Sequence, residues 1–228
     1  MNNVIPNDIR IEVLTQALPY IQRYRDKVIV INYSGRASAS PEAVAGVVSD
    51  VVLLFLTGVK VVMVHGECGS VESLLELSAA VTKAGGKALA LCDVDTGAIN
   101  DALSLGYIPI VAALSSDENG TVEVINTDEA AARIAGELKA ENMIALTNVR
   151  GILRDETDES TLISELSISD VPFLIKQSVI TGGMVDKANA CVEAIRRGVK
   201  KTFIIDGRVL HSILIEMFSD EGIGTMLV

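Results

Sequence analysis

Aromatic side chains make up only 4% of these 228 residues, tryptophan is missing, and histidine occurs twice. Positive charge is scarce too, with 19 Lys and Arg against 30 Asp and Glu and a formal net charge of −11. Non-specific binding to nucleic acid or to an anionic membrane needs clustered Lys and Arg that displace counterions, so neither partner is expected. The three cysteines, Cys68, Cys92 and Cys191, show no CxxC spacing and no nearby histidine cluster. Neither a zinc site nor a disulfide framework is suggested, no metal-ligand set is predicted, and a reducing cytoplasm is the expected compartment. No charge-free apolar run is long enough to span a bilayer, and the first residues lack the basic-then-apolar order of a secretory leader.

What is present in quantity is aliphatic. Hydrophobic residues reach 49%, dominated by Ala, Val, Ile and Leu, the balance expected of parallel strands covered by helices. Ile11, Leu14, Leu18 and Ile21 recur at helical spacing and predict an amphipathic first helix that contains Pro19. It reads equally as a lid on the core or as an oligomerisation arm. Strands are then predicted at 28–33, 59–64, 87–92, 107–114, 121–125, 142–147, 202–206 and 224–228. Helices are predicted at 42–57, 70–84, 98–105, 128–139, 169–177, 184–197 and 209–218. Ser40-Pro41 supplies a cap and first-turn proline, and the short strand at 121–125 reads as antiparallel. The alternation predicts a three-layer α/β/α sandwich around a mainly parallel sheet.

The richest chemical signal is Thr181-Gly182-Gly183-Met184-Val185-Asp186-Lys187. Two glycines opening a helix, with a lysine one turn inside, present backbone N–H groups and a cation to an anion such as a nucleotide phosphate. Two other corners at strand ends, Asn32-Tyr33-Ser34-Gly35 and His65-Gly66-Glu67-Cys68-Gly69, carry no lysine. Residues 154–160 are the most polar stretch and read as a surface loop over which a ligand could bind.

Several motifs together carry a resemblance: Ala17-Leu18-Pro19-Tyr20-Ile21-Gln22, Gly106-Tyr107-Ile108-Pro109, Asn126-Thr127-Asp128-Glu129-Ala130-Ala131 and Leu146-Thr147-Asn148-Val149-Arg150-Gly151. They continue through Gly182-Gly183-Met184-Val185-Asp186-Lys187, Ile205-Asp206-Gly207-Arg208 and Asp220-Glu221-Gly222-Ile223-Gly224-Thr225. In this order, over most of the chain, they resemble the amino acid kinase family, and within it the arginine-sensitive N-acetylglutamate kinases. The resemblance implies a carbamate-kinase-like fold and transfer of the γ-phosphoryl of ATP, with Mg²⁺, to the side-chain carboxylate of N-acetylglutamate in arginine biosynthesis. It also implies an N-terminal helix over 1–26 and a single domain over 27–228, with an acceptor-side lobe at 27–140 and a nucleotide-side lobe at 141–228. A homodimer or hexamer is implied, and a PII-type signalling protein is a partner of some relatives.

Carried over by resemblance, Lys187 matches a phosphate-clamping lysine and Asp128 an aspartate that organises the clamp. Asp128 also reads as an ordinary acid favoured by a helix N-terminus. Gly35, Gly66, Thr147, Gly151, Gly182 and Gly183 correspond to nucleotide or phosphate positions and Asn126 to a substrate position. Tyr20, His211, Glu221, Gly222 and Gly224 match the place where relatives bind arginine, although 220–224 reads equally as a plain turn. Departures from the pattern fall on the chemistry. Asn32 stands where the family has its other lysine, Ser34 replaces a glycine, and Glu67 and Cys68 put side chains where phosphates approach. Asn148 replaces an aspartate, Val124 replaces a substrate-binding asparagine, and an arginine-bearing segment before residue 87 is missing. His65 reads as a packing residue and Cys68 as a small polar replacement.

Three functional expectations follow. The chain is an acetylglutamate-kinase-like enzyme with impaired transfer, a non-catalytic paralogue that binds arginine or a nucleotide, or a trimmed or redesigned family member.

Overall fold

The computed structural model describes residues 6–33, 40–66, 71–116 and 122–228. The expectations placed on Ser34, Gly35, Glu67, Cys68 and Gly69 lie outside the described residues. In chain order the elements are α1 (Asn7–Tyr24), β1 (Val28–Tyr33), α2 (Pro41–Leu56), β2 (Lys60–His65), α3 (Val71–Lys83), β3 (Ala88–Leu91), α4 (Thr96–Ser104), β4 (Ile108–Ala112) and β5 (Leu114–Ser116). They continue as β6 (Val122–Val124), α5 (Thr127–Glu137), β7 (Asn142–Thr147), β8 (Glu165–Leu166), α6 (Val171–Lys176), α7 (Gly183–Arg196), β9 (Lys201–Asp206), α8 (Ser212–Phe218) and β10 (Thr225–Leu227).

Eight strands form one sheet in the order β3-β4-β2-β1-β7-β9-β10-β8. The pairs from β3 to β9 are parallel, and β10 runs antiparallel to β9. Continuous apolar runs such as Val-Ile-Val-Ile in β1 are what a strand covered on both faces requires. Successive residues point to opposite faces. Ile29, Ile31 and Tyr33 therefore enter a core built with α2, α3 and α8, while Val30 enters one built with α4, α5, α6 and α7. The expected three-layer sandwich is thus observed. Among the described residues no helix is long and apolar enough to cross a membrane.

Local signals account for most boundaries. Ser40 caps α2 by accepting from the Ala43 N–H at 3.2 Å, with Pro41 at the first helical position. Only residues 84–87 join α3 to β3, with Gly85 at φ +102°, a left-handed turn that suits glycine. That short turn occupies the place where the resemblance calls for a longer acceptor segment.

Three expectations need correction. The lid reading of α1 fails on its predicted face, because Ile11, Leu14 and Leu18 are exposed. The helix packs instead through its tyrosines, with Tyr24 buried and the Tyr20 ring 6.2 Å from that of Phe218 in α8. The strand expected at 107–114 is two strands. The Ala113 N–H reaches His65 O and its carbonyl accepts from Ile125, so the chain leaves the main sheet at that point and β5 pairs antiparallel with β6. The last helix begins at Ser212 rather than 209, because His211 sits at φ +60°, ψ +29° and a left-handed residue cannot continue a right-handed helix.

Candidate functional site

Parallel strands deliver their carboxyl ends to one edge, and helices that follow them start there. β1 ends with Asn32 and Tyr33, β2 with His65, and β7 with Thr147 opposite Asp206 of β9. At this edge the amino ends of α5 and α7 bring Asp128 and Lys187 together. Lys187 Nζ donates to Asp128 Oδ1 at 2.6 Å, and the Asn32 amide Nδ2 donates to the same oxygen at 2.5 Å. Lys187 is 7% exposed and Asn32 1%. The three polar groups form one part-buried cluster in which one carboxylate balances one ammonium.

Asn126 caps α5: its Oδ1 accepts from the N–H groups of Asp128 at 2.8 Å and Glu129 at 3.4 Å. The cap fixes where Asp128 starts the helix. Gly66 lies against Thr127, whose Oγ1 would be 2.1 Å from a β-carbon at that position, so the space at Gly66 itself is taken by a side chain. At the start of α7 the opposite holds. Gly182 has φ +53° and ψ −138°, a conformation that favours glycine, and a β-carbon on Gly182 or Gly183 would meet nothing within 4 Å. This corner is open backbone beside a lysine.

The polar loop reaches the same corner, since Thr181 Oγ1 donates to Glu156 Oε1 at 2.6 Å. Within the loop, bonds from Thr157 and Ser160 hold the Asp155 and Asp158 carboxyls below the usual carboxylate range. Gly151 is closely packed, with Thr225 Oγ1 2.7 Å from a would-be β-carbon and accepting from the Ile152 N–H at 2.8 Å. Thr147 is mostly buried and its carbonyl accepts from the Gly207 N–H at 2.9 Å. Beneath Lys187, one turn further along α7, burial pushes the Cys191 thiol up to about 12, so it stays neutral. A cleft of about 400 Å³ lies between α5 and α7, but its Arg133 and Arg197 are already paired with Glu137 and Glu193.

The residues matched to an effector site separate into two places. Tyr20 donates to Asp220 Oδ1 at 2.7 Å beside the exposed Glu221, and that bond together with the nearby negative charge raises the tyrosine pKa. Gly222 and Gly224 belong to a tight loop over Glu216, whose Oε2 accepts from the N–H groups of Ile223 and Gly224. His211 lies before the other end of α8, where its Nδ1 is 2.6 Å from Asp50 Oδ1. Asp50, on α2, is fully buried and was visible in the sequence only as an acid inside an apolar helix. Thr127, Glu216 and Thr225 carried no such signal.

Burial raises the Asp50 pKa more than the contact with His211 lowers it. An acid whose folded pKa lies above its unfolded value takes up a proton on folding, so the Asp50 contribution to stability is fullest at low pH and is lost as pH rises from about 4 through the raised value. Asp50→Asn is expected to lose that slope. Urea titrations of both proteins at pH 4 and pH 7 check it, and an unchanged difference between the two pH values would contradict the assignment.

Comparison with known proteins agrees with this geometry. A profile of the Amino acid kinase family matches residues 76–206. Acetylglutamate kinase from Brachyspira hyodysenteriae is 39% identical over 285 aligned positions covering 99% of each chain, and that from Clostridium beijerinckii is 39% identical over 279, covering 96% of this chain and 98% of the relative. Both alignments are longer than this chain's 228 residues and so carry gaps within it. Among solved structures, N-acetylglutamate synthase from Neisseria gonorrhoeae superposes with a TM-score of 0.82 at 22% identity, covering 96% of this chain. The chain spans 63% of that synthase's length. A carbamate kinase from Giardia lamblia bound to AMP-PNP gives 0.68 at 15% identity, covering 89% of this chain and 98% of the kinase. With a family profile over more than half of the chain and relatives aligned along nearly all of it, the chain belongs to the amino acid kinase family and is acetylglutamate-kinase-like.

Proposed function

We propose that this protein binds ATP through the Gly182-Gly183 corner and Lys187, and that its phosphoryl transfer is much slower than a clamp of two lysines would allow. The observation that carries the reading is the cluster of Asn32, Asp128 and Lys187. Its single ammonium is bonded to its single carboxylate, and the third member is a neutral amide. Phosphoryl transfer relies on positive charge facing the anionic transition state, so a neutral clamp supplies little of what the reaction needs. The residues fit a phosphate, because Gly182 and Gly183 leave room for close approach to backbone N–H groups. Among the described residues no group of three His, Cys, Asp or Glu could hold a metal, so Mg²⁺ would be held chiefly by the nucleotide.

The acceptor in this reading is N-acetylglutamate, after the relatives named for it, with the amide of Asn126 as its polar contact. Calorimetry with Mg-ATP and a coupled ADP-release assay test the proposal together. Micromolar to millimolar binding is expected with turnover at or near blank. Asn32→Lys is expected to raise turnover about a hundredfold, equivalent to about 2.7 kcal/mol of barrier. Rapid turnover by the unaltered protein would refute the impaired clamp, and no ATP binding would refute the site.

A second reading, a regulatory paralogue that binds arginine, draws on the carboxylates of Asp220 and exposed Glu221 beside Tyr20, which suit a guanidinium. Titration with arginine alone decides it. The homodimer or hexamer and the PII-type partner remain parts of this second reading, testable by light scattering and by co-elution.

A further inference from the structure

The acids of the polar loop divide by what they hold. Asp155 accepts from the Thr157 N–H at 2.9 Å and from Thr157 Oγ1 at 2.7 Å, and Asp158 accepts from the Ser160 N–H at 2.9 Å and from Ser160 Oγ at 2.6 Å. Thr161 Oγ1 donates to the Asp158 carbonyl at 2.6 Å, the Arg154 N–H reaches Thr161 O, and Leu153 pairs with Leu162 across the base. These bonds close the loop upon itself, and Glu156 takes no part in them. Its Oε1 reaches across 25 residues of chain to accept from Thr181 Oγ1, one residue before the two glycines of the corner.

The corner has little else to hold it. Glycine has the widest choice of backbone conformation, two stand together here, and nothing packs where either side chain would be. From the helix side the Met184 N–H donates to Thr181 O and the Val185 N–H to Gly182 O, each at 3.1 Å. Those bonds engage carbonyls. The N–H groups of Gly182 and Gly183, which an anion would take, donate to nothing among the described residues. Among those residues the Thr181 hydroxyl supplies the only side-chain hydrogen bond at 181–183.

We propose that Glu156 is a positioning residue for this corner: by fixing Thr181 it keeps the Gly182 and Gly183 N–H groups in the arrangement that receives phosphate. A site ordered in advance binds more tightly, because association no longer has to order it. The acceptor oxygen of Glu156 does this rather than its charge, since a carboxylate near a phosphate is repelled. The inference rests on the phosphate-binding reading for its effect on ATP, and the order of the corner is open to separate measurement.

Two experiments test it. Mg-ATP affinity is measured by calorimetry for the parent, Thr181→Val, Glu156→Ala, their double variant and Glu156→Gln, and NMR order parameters of the Gly182 and Gly183 amides are measured without nucleotide. Thr181→Val and Glu156→Ala are each expected to weaken ATP binding about tenfold and to lower both order parameters, with no further loss in the double variant. Both side chains are exposed, so thermal midpoints close to the parent's are expected and separate the effect from a folding failure. Glu156→Gln, whose amide oxygen still accepts, is expected to keep the parent's affinity, a rescue that general damage to the loop would not show. Lower order parameters in a protein that binds no ATP uphold the tether and overturn the nucleotide reading. Unchanged ATP binding in Thr181→Val and Glu156→Ala overturns the positioning role and leaves the nucleotide reading intact. Tighter binding by Glu156→Ala overturns it as well, by showing that the carboxylate competes with phosphate for the corner.

Discussion

Lys187→Met is expected to abolish ATP binding and to destabilise the fold by about 3 kcal/mol, near the lower end for breaking a buried ion pair. The lower end applies because the Asp128 side chain keeps 18% of its exposure and also accepts from Asn32. The methionine fills the space of the lysine stem, so the cost reports the stranded carboxylate rather than a cavity. Adding Asp128→Asn is expected to recover most of the stability, since no uncompensated charge then remains, while ATP stays unbound. Urea denaturation of the two single variants and the double variant measures the coupling, and calorimetry measures the binding. A single variant as stable as the parent would show that the pair is solvated in practice and that the Lys187 charge is not neutralised in a buried clamp.

The second large effect is structural. Gly224→Ala is expected to destabilise by about 3 kcal/mol or more, beyond most single substitutions. Its β-carbon would lie 2.3 Å from Ile204 O and 2.6 Å from Ile205 Cγ2. The first contact is backbone of β9, which is held on one side by β7 and on the other by β10, so relief requires breaking strand pairs. Gly183→Ala provides the contrast. A β-carbon there meets nothing within 4 Å, so stability should change by less than about 0.5 kcal/mol, whereas ATP affinity should fall if phosphate approaches that backbone. Thermal melts of both variants check the contrast, and equal losses would mean that the corner at α7 is packed rather than open.

The sandwich was legible because continuous aliphatic strands and amphipathic helices alternate with clear punctuation at Ser40-Pro41, Gly85-Gly86 and Gly182-Gly183. Pattern does not record direction, however. Ile11, Leu14 and Leu18 form a helical stripe, yet α1 turns its tyrosines to the core, a choice set by the ring of Phe218 and the carboxylate of Asp220. Lys187 could be picked out from its glycines alone. Its link to Asp128 was reached only through the resemblance, because contact between helices so far apart in sequence is decided by the order of strands. The close packing of Gly151 on Thr225 and of Gly224 on Ile204 was hidden for a related reason: sequence does not show what a glycine's missing side chain would meet.

Strand order carries one more consequence, in the order of assembly. β1 lies between β2, which follows it closely, and β7, whose partner for Ile29 is Asn142. A chain emerging from the ribosome can pair β1 with β2 early, but the other edge of β1 stays open until more than half the protein has been made. Asn32 waits for Asp128 across 96 residues, and Asp128 waits for Lys187 across a further 59. Closing such long loops precedes the contacts that reward it, so folding should be slow for a domain of this size. In the interval an aliphatic strand with unpaired N–H and C=O groups is available to any neighbouring chain. Yield during synthesis is thus set by how quickly the later strands arrive to cover the first.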